Sequence, residues 1–322
     1  MHTVVLDADT LGRDLDLTVF DRFGTTTVHG YTTPDRIAER VREADFVITN
    51  KMRLGAGNIE SASHLRLICM TGTGTDGIDK VWCARNGIGV CNIRGYCTDS
   101  VVQHTFALLF TLLERTDRLW THTRSGAYIG DTTFRHLDWT FHELSGQRFG
   151  ILGMGAIGRG VAQAASAFGA EPVYWSSHDE DREGSYERLG LEELLRTSDV
   201  VSVHSPLNDR TRGLLSDKEL GWMKSSAYLL NLGRGGIVDE AALARALAAG
   251  RLAGCGLDVL AMEPMAEDSP LRNVLGSDRL FVTPHVAWAS IEARRRCIDE
   301  VVLNLEDFLA GGSRNRVESL ER

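Results

Sequence analysis

Phe149-Gly150-Ile151-Leu152-Gly153-Met154-Gly155-Ala156-Ile157-Gly158 decides the architecture of this chain. Phe149–Leu152 is a short apolar run of strand type, and Arg159–Phe168 behind it carries helical spacing. The turn between them is a G-x-G-x-x-G. Gly153 permits the tight turn, Gly155 lets the main chain approach a pyrophosphate, and Gly158 lets the helix lie against the strand. The helix start, at Ala156 and Ile157, adds free N–H groups and a partial positive charge. A Gly-rich structural turn is the bland alternative, but a second strand candidate follows at Val173–Trp175, the context that the motif requires. The segment reads as the first β-α-β unit of a dinucleotide-binding sheet.

Outward from this unit, the same alternation continues in both directions. Downstream strand candidates are Val200–His204, Tyr228–Asn231, Gly256–Val259 and Leu280–Thr283, making six with the first two. Upstream, a long helix pattern runs from Ser100 to about Trp120. Before it lies a smaller series with strands at Val4–Asp7, Phe46–Thr49, Leu65–Met70 and Ile88–Asn92, and helices at Asp35–Glu43 and Asp76–Asn86. A last helix pattern, Ile291 to about Leu309, has no strand after it and is expected to return to the smaller series. The expected class is α/β: two Rossmann-like or flavodoxin-like parallel-sheet domains. Residues 99–290 form the dinucleotide-binding domain, inserted into a discontinuous domain of 1–98 and 291–322.

Composition agrees with two domains. The 322 residues exceed what one hydrophobic core usually sustains, and 43% hydrophobic with 25% charged residues is an average globular balance. A net charge of −9, with only 4 Lys among 35 basic residues and no run of basic residues that forms a patch, argues against nucleic acid or an anionic membrane as partner. Cys69, Cys83, Cys91, Cys97, Cys255 and Cys297 form no C-x-x-C pair, so neither a zinc knuckle nor a redox motif is expected. Histidines 122, 136 and 142 lack metal-ligand spacing. The start of the chain lacks a signal-peptide pattern, and Phe106–Leu113 is too short to span a bilayer. A cytoplasmic, reduced protein is expected.

The end of the second strand bears on which dinucleotide is bound. A carboxylate there would accept from a ribose 2′-hydroxyl. Here Val173-Tyr174-Trp175 ends in Ser176-Ser177-His178, and acids arrive only at Asp179–Asp181. Neutral Ser176 and Ser177 remove the repulsion that excludes a 2′-phosphate, and His178 or Arg182 could bind one. NAD and NADP both stay open, with a slight lean to NADP or dual use.

Three later segments carry the chemistry: Asn231-Leu232-Gly233-Arg234-Gly235-Gly236-Ile237-Val238-Asp239-Glu240, Gly256-Leu257-Asp258-Val259-Leu260-Ala261-Met262-Glu263-Pro264, and Thr283-Pro284-His285-Val286-Ala287-Trp288. With the Gly-rich turn, they resemble the D-isomer-specific 2-hydroxyacid dehydrogenase family over essentially the whole chain. The resemblance implies an NAD(P)H-dependent oxidoreductase of small 2-oxo and D-2-hydroxy acids, with Arg234, Glu263 and His285 as the catalytic set. It also implies that Asp258 binds the nicotinamide carboxamide, that Ser205 and Pro206 border the adenosine side, and that Leu232 and Gly233 belong to the cofactor contacts.

Those residue types suit the reaction. Imidazole titrates near neutrality, so His285 can donate a proton to a developing alkoxide. Glu263 on the other ring nitrogen would fix the tautomer and favour the charged form. Arg234 offers a planar fork to a carboxylate. Singly, each reads more blandly, as a structural histidine, a loop acid and a salt-bridge partner. Three in matching motifs reverse that.

Upstream, Thr71-Gly72-Thr73-Gly74-Thr75-Asp76-Gly77-Ile78-Asp79 resembles the family's substrate loop, with main-chain N–H groups at Thr73 and Gly74 for a carboxylate and Asp76 as a helix N-cap. Asn50-Lys51-Met52 resembles its substrate-contacting loop. The stretch from Asn92 to Ala107 is closest to the glycerate or hydroxypyruvate dehydrogenase branch, except that Arg94 stands where the family usually has Pro; a solvated surface Arg is the bland reading, a second cation near substrate the sharp one. His204 reads as structural. The resemblance further implies a homodimer through the region of Ser100–Trp120 and closure of one domain on the other during turnover, while Gly126–Asp131 and Asp138–Glu143 read as a loop over the cleft or part of a dimer contact. The rivals are a cofactor-sensing corepressor-like regulator and a phosphite- or formate-type dehydrogenase of the same family.

Overall fold

A computed structural model describes residues 1–135, 139–178 and 185–318. The chain divides into two compact units, Met1–Cys97 with Ala289–Arg322, and Thr98–Trp288. The second interrupts the first in sequence.

The first unit holds β1 (His2–Val5), β2 (Thr25–Val28), β3 (Phe46–Thr49), β4 (Leu67–Met70) and β5 (Gly89–Cys91). They form a parallel sheet in the order β2-β1-β3-β4-β5. β3 and β4 are buried along their whole length, as the continuous runs Phe-Val-Ile-Thr and Leu-Ile-Cys-Met require of strands covered on both faces. β2 is an addition to the expected strands: Thr25-Thr26-Thr27-Val28 is a polar edge strand with no buried residue. The helix expected over Asp35–Glu43 is a 3-10 turn, Pro34–Arg36, running into Ile37–Val41. The one expected over Asp76–Asn86 is shorter, Lys80–Arg85, and its N-cap is Asp79 rather than Asp76, because the Asp79 carboxylate accepts from Trp82 N. The helix Ile291–Leu309 belongs to this unit, and the residues after it bridge antiparallel onto β5 between Cys91 and Arg316.

The second unit holds β6 (Arg148–Leu152), β7 (Glu171–Trp175), β8 (Glu187–Arg188), β9 (Val200–Val203), β10 (Tyr228–Asn231), β11 (Gly254–Leu257) and β12 (Leu280–Val282). Their order is β12-β11-β10-β9-β6-β7-β8, and every pair is parallel. The chain starts in the middle at β6, winds outward to β8, and returns to β9 on the other side. That reversal puts the topological switch point at the carboxyl ends of β6 and β9, where open sheets of this kind bind ligands. β8, a two-residue edge strand, makes seven strands where six were expected.

The long helix expected over Ser100–Trp120 is two helices, Thr98–Glu114 and Thr116–Arg124. Arg115 between them is left-handed, with φ 52°, which breaks the hydrogen-bond ladder. The break lets Arg115 and Arg118 share one carboxylate, Asp278 Oδ2, at 2.6 and 2.7 Å. The first helix buries Val101, Phe106, Leu108, Leu109, Leu112 and Leu113, while the second buries none of its residues. Gly160 lets the helix Ala156–Ala167 cross close to it, since a Cβ there would meet Val102 Cγ2 at 2.7 Å.

Candidate active site

At the switch point of the second sheet, the three glycines are there for three different reasons. Gly153 takes φ +104°, and a Cβ on it would meet Ser205 Oγ at 2.7 Å and Ser205 N at 2.9 Å. A Cβ on Gly158 would lie 2.1 Å from Gly153 O, so the helix seats on the turn only without one. At Gly155 a Cβ would meet nothing within 4 Å. It lies exposed with Ala156 at the start of Ala156–Ala167, where the first-turn N–H groups have no intrahelical acceptor. Open space in front of a helix N-terminus fits the pyrophosphate of a dinucleotide.

Around that turn the remaining candidates fall into two kinds. Ser205 is buried and its hydroxyl donates to Leu152 O at 2.9 Å; Leu232 is also buried. Gly233 packs on Ser205 O, 2.9 Å from where its Cβ would be, and Pro206 is exposed. His204, read as structural, packs its Nε2 2.7 Å from Ser202 Oγ, while its Nδ1 is buried without a hydrogen-bond partner. Burial alone pushes its imidazole down to about 3. Ser176 and Ser177 lie at the end of β7, and here sequence reasoning missed two arginines. Arg210 Nη1 donates to Ser177 O at 2.5 Å and Arg188 Nη2 donates to His178 O. Arg210 comes from 33 residues along the chain, and Arg188 from the short edge strand β8, which carries no apolar run to announce it. Asp179–Asp181 and Arg182 lie outside the described residues, as does His136; His122 pairs with Asp131 at 2.9 Å.

Arg234, Glu263 and His285 follow β10, β11 and β12 and are linked through a short chain of contacts. The Asn231 side chain accepts from Gly233 N at 3.1 Å and donates to Arg234 O at 3.0 Å, fixing the Arg234 turn. Gly235 presses so closely on Leu260 that a Cβ would fall 1.8 Å from its carbonyl oxygen. Leu260 N donates to Glu263 Oε1 at 3.0 Å, and Glu263 Oε2 lies 2.6 Å from His285 Nδ1. The ring nitrogen left over is Nε2. His285 itself is left-handed, φ 54°, a conformation rare outside glycine and costly unless its surroundings impose it. The imposing group is Asp258, 2% exposed, whose Oδ1 accepts from Thr283 Oγ1 at 2.6 Å and Val286 N at 2.9 Å, and whose Oδ2 accepts from Ala287 N at 2.9 Å. A carboxylate offers about four acceptor sites, so roughly one remains on Oδ2 for an outside donor.

In the first unit, the other candidates sit on loops after β3 and β4. Asp7, beyond β1 and 2% exposed, accepts from Asn50 N at 3.0 and 3.1 Å and from Lys51 N at 2.8 Å. Desolvation outweighs these bonds and holds its carboxyl above the usual range. Lys51 is exposed. The Thr73 hydroxyl is turned to Ile93 O at 2.9 Å, and Thr73 O accepts from the buried Asn92 at 2.8 Å, so this loop, with Gly74, is braced from behind. Arg94 is exposed in the segment after β5.

Residues 106–287 match the family model for the D-isomer specific 2-hydroxyacid dehydrogenase NAD binding domain. The chain belongs to this family. It is thus an oxidoreductase acting on CH–OH donors. It is 37% identical to a glycerate dehydrogenase of Methylorubrum extorquens, with 89% of this chain and 90% of that protein covered. It is 33% identical to a hydroxypyruvate reductase of Blautia hydrogenotrophica, with 98% and 99% covered. Among solved structures, the TT0316 protein of Thermus thermophilus superposes with a TM-score of 0.87 at 32% identity, covering 98% of this chain and all of that one. Among the described residues, no helix is long and apolar enough to cross a membrane.

Proposed function

We propose that this dehydrogenase interconverts a small 2-oxo acid of the glyoxylate or hydroxypyruvate type and its D-2-hydroxy acid. The observation that carries the reading is the 2.6 Å pair of His285 Nδ1 and Glu263 Oε2. A carboxylate on Nδ1 holds the proton there and leaves Nε2 to exchange one with the substrate oxygen. Arg234 binds the substrate carboxylate by its planar fork. In the first unit, Thr73 and Gly74 offer main-chain N–H groups suited to a carboxylate, and Lys51 adds a cation. Residues 1–98 and 291–322 act as the substrate domain, and 99–290 as the cofactor domain.

Gly153, Gly155, Ala156, Ile157 and Gly158 would hold a nicotinamide dinucleotide, which would supply or accept the hydride. Leu232, Gly233, Ser205 and Pro206 would border it, and Asp258 would meet its carboxamide. Arg188 and Arg210 beside Ser176 and Ser177 favour NADP, because guanidinium is the better partner for a 2′-phosphate. The protein acts as a homodimer: Trp120 ends the region that the family uses for this contact, and Ile129, 90% exposed, and Phe134, 83% exposed, follow it as exposed apolar side chains. Its six free cysteines suit a reducing, cytoplasmic setting.

The test is a panel of glyoxylate, hydroxypyruvate and larger 2-oxo acids with NADH and NADPH, followed at the nicotinamide absorbance. Turnover of the first two with a lower KM for NADPH is expected. Silence across the panel, or a hundredfold preference for NADH, overturns the substrate and cofactor assignments respectively.

A further inference from the structure

On the helix Thr98–Glu114, behind the His285 loop, His104 sets Nε2 3.0 Å from Thr283 Oγ1 and 3.6 Å from Asp258 Oδ1. A threonine hydroxyl has one proton and two lone pairs. The 2.6 Å separation of Thr283 Oγ1 from Asp258 Oδ1 commits that proton to the carboxylate, the stronger acceptor. Only lone pairs then face His104, so Nε2 of His104 carries a hydrogen. The order passes on through Asp258, whose two oxygens hold Val286 N and Ala287 N, the residues that follow left-handed His285. Thr283 O also accepts from His285 N at 2.9 Å, so the turn is pinned from both ends.

We propose that His104, Thr283 and Asp258 form a positioning relay that sets the backbone turn presenting His285, with His104 as its outermost donor. The relay rests on the reading of His285 as proton donor, but its own geometry does not. A merely structural fastening of helix to sheet predicts a different result: lower thermal stability, with kcat unchanged in the folded fraction.

Thr283→Val keeps the shape and removes the hydroxyl. With hydroxypyruvate and NADPH, kcat is expected to fall about tenfold, the rate equivalent of one misplaced hydrogen bond, while KM and cofactor Kd stay within about twofold. Thr283→Ser is expected to restore the rate. Should Thr283→Val not fold, the pair His104→Gln and His104→Leu asks the same question. The Gln amide reaches the Nε2 position and keeps the donor, so only Leu should lose rate. Nitrogen-15 spectra of the histidine side chains in the full chain, without substrate, read the relay directly: His104 is expected with its hydrogen on Nε2, and this pattern is expected to blur in Thr283→Val. Parental kcat in both Thr283→Val and His104→Leu, or a hydrogen on Nδ1 alone in the parent, overturns the relay. Retained turnover in His285→Ala overturns the proton-donor reading instead and leaves the spectra to decide the relay.

Discussion

The two sheets turn at comparable points and fill them with opposite chemistry. In the first, the chain reverses between β1 and β3, and the residue beyond β1 is a buried acid, Asp7, clamped on the main chain of Asn50 and Lys51. In the second, it reverses between β6 and β9, and the residues beyond β6 are Gly153 and Gly155, with open space before a helix N-terminus. A carboxylate that spends itself on neighbouring N–H groups closes a switch point to phosphate; glycine leaves it open. One topology therefore yields a loop clamped on a buried acid in one unit and, in the other, the open glycine turn proposed to cradle the dinucleotide.

The sharpest way to break this contrast is to give the open switch point the closed one's charge. Gly155→Asp has room for its side chain, yet sets a carboxylate where the pyrophosphate should lie. Cofactor Kd measured by calorimetry is expected to rise at least about 100-fold, since like charges in contact cost several kcal/mol. An unchanged Kd would move the dinucleotide elsewhere.

Each switch point also holds a titratable group displaced from its ordinary value, and their pH signs are opposite. His204 beside Gly153 is pushed down to about 3. Below about 6.5 the unfolded chain takes up a proton that the folded ring refuses, so stability falls as pH falls from 6.5 towards 3. By pH 5 this amounts to about 2 kcal/mol. In urea unfolding, His204→Asn is expected to lose less stability than the parent between pH 7 and 5; parallel losses would mean that the ring takes up its proton freely in the folded state. Asp7 runs the other way. The folded state binds its proton more tightly than the unfolded chain does, so its contribution declines as pH rises through the raised value. Asp7→Asn removes the buried charge at neutral pH but leaves one N–H of the Asn50–Lys51 loop without its acceptor. The net change at pH 7 is expected to be about 1 kcal/mol or less, with the parent gaining on the variant as pH drops towards 4. A parent that gains nothing on acidification would contradict the desolvation account.

Legibility followed the range of the interaction. Strands such as Phe46–Thr49 and Tyr228–Asn231 stand out as apolar runs that a doubly covered parallel strand must have. β2 and β8 do not, because edge strands need no apolar run and Thr25–Val28 and Glu187–Arg188 carry none. The glycines of the turn are readable because backbone geometry demands them locally. Asp7 and His104 are not, because their partners lie 43 and 179 residues away. Arg210 escapes for the same reason, and Arg188 because its edge strand β8 is itself unreadable. The helix break at Arg115 hangs on Asp278, which no pattern near Arg115 reveals.

The assignment of His285 as the proton donor bears the most weight and is tested most directly by single-turnover and steady-state kinetics of His285→Ala with hydroxypyruvate. Turnover is expected to fall by roughly 10²–10⁴, the usual share of a general acid, with dinucleotide Kd unchanged because the Gly153–Gly158 cradle is untouched. Near-parental turnover with intact cofactor binding would contradict it.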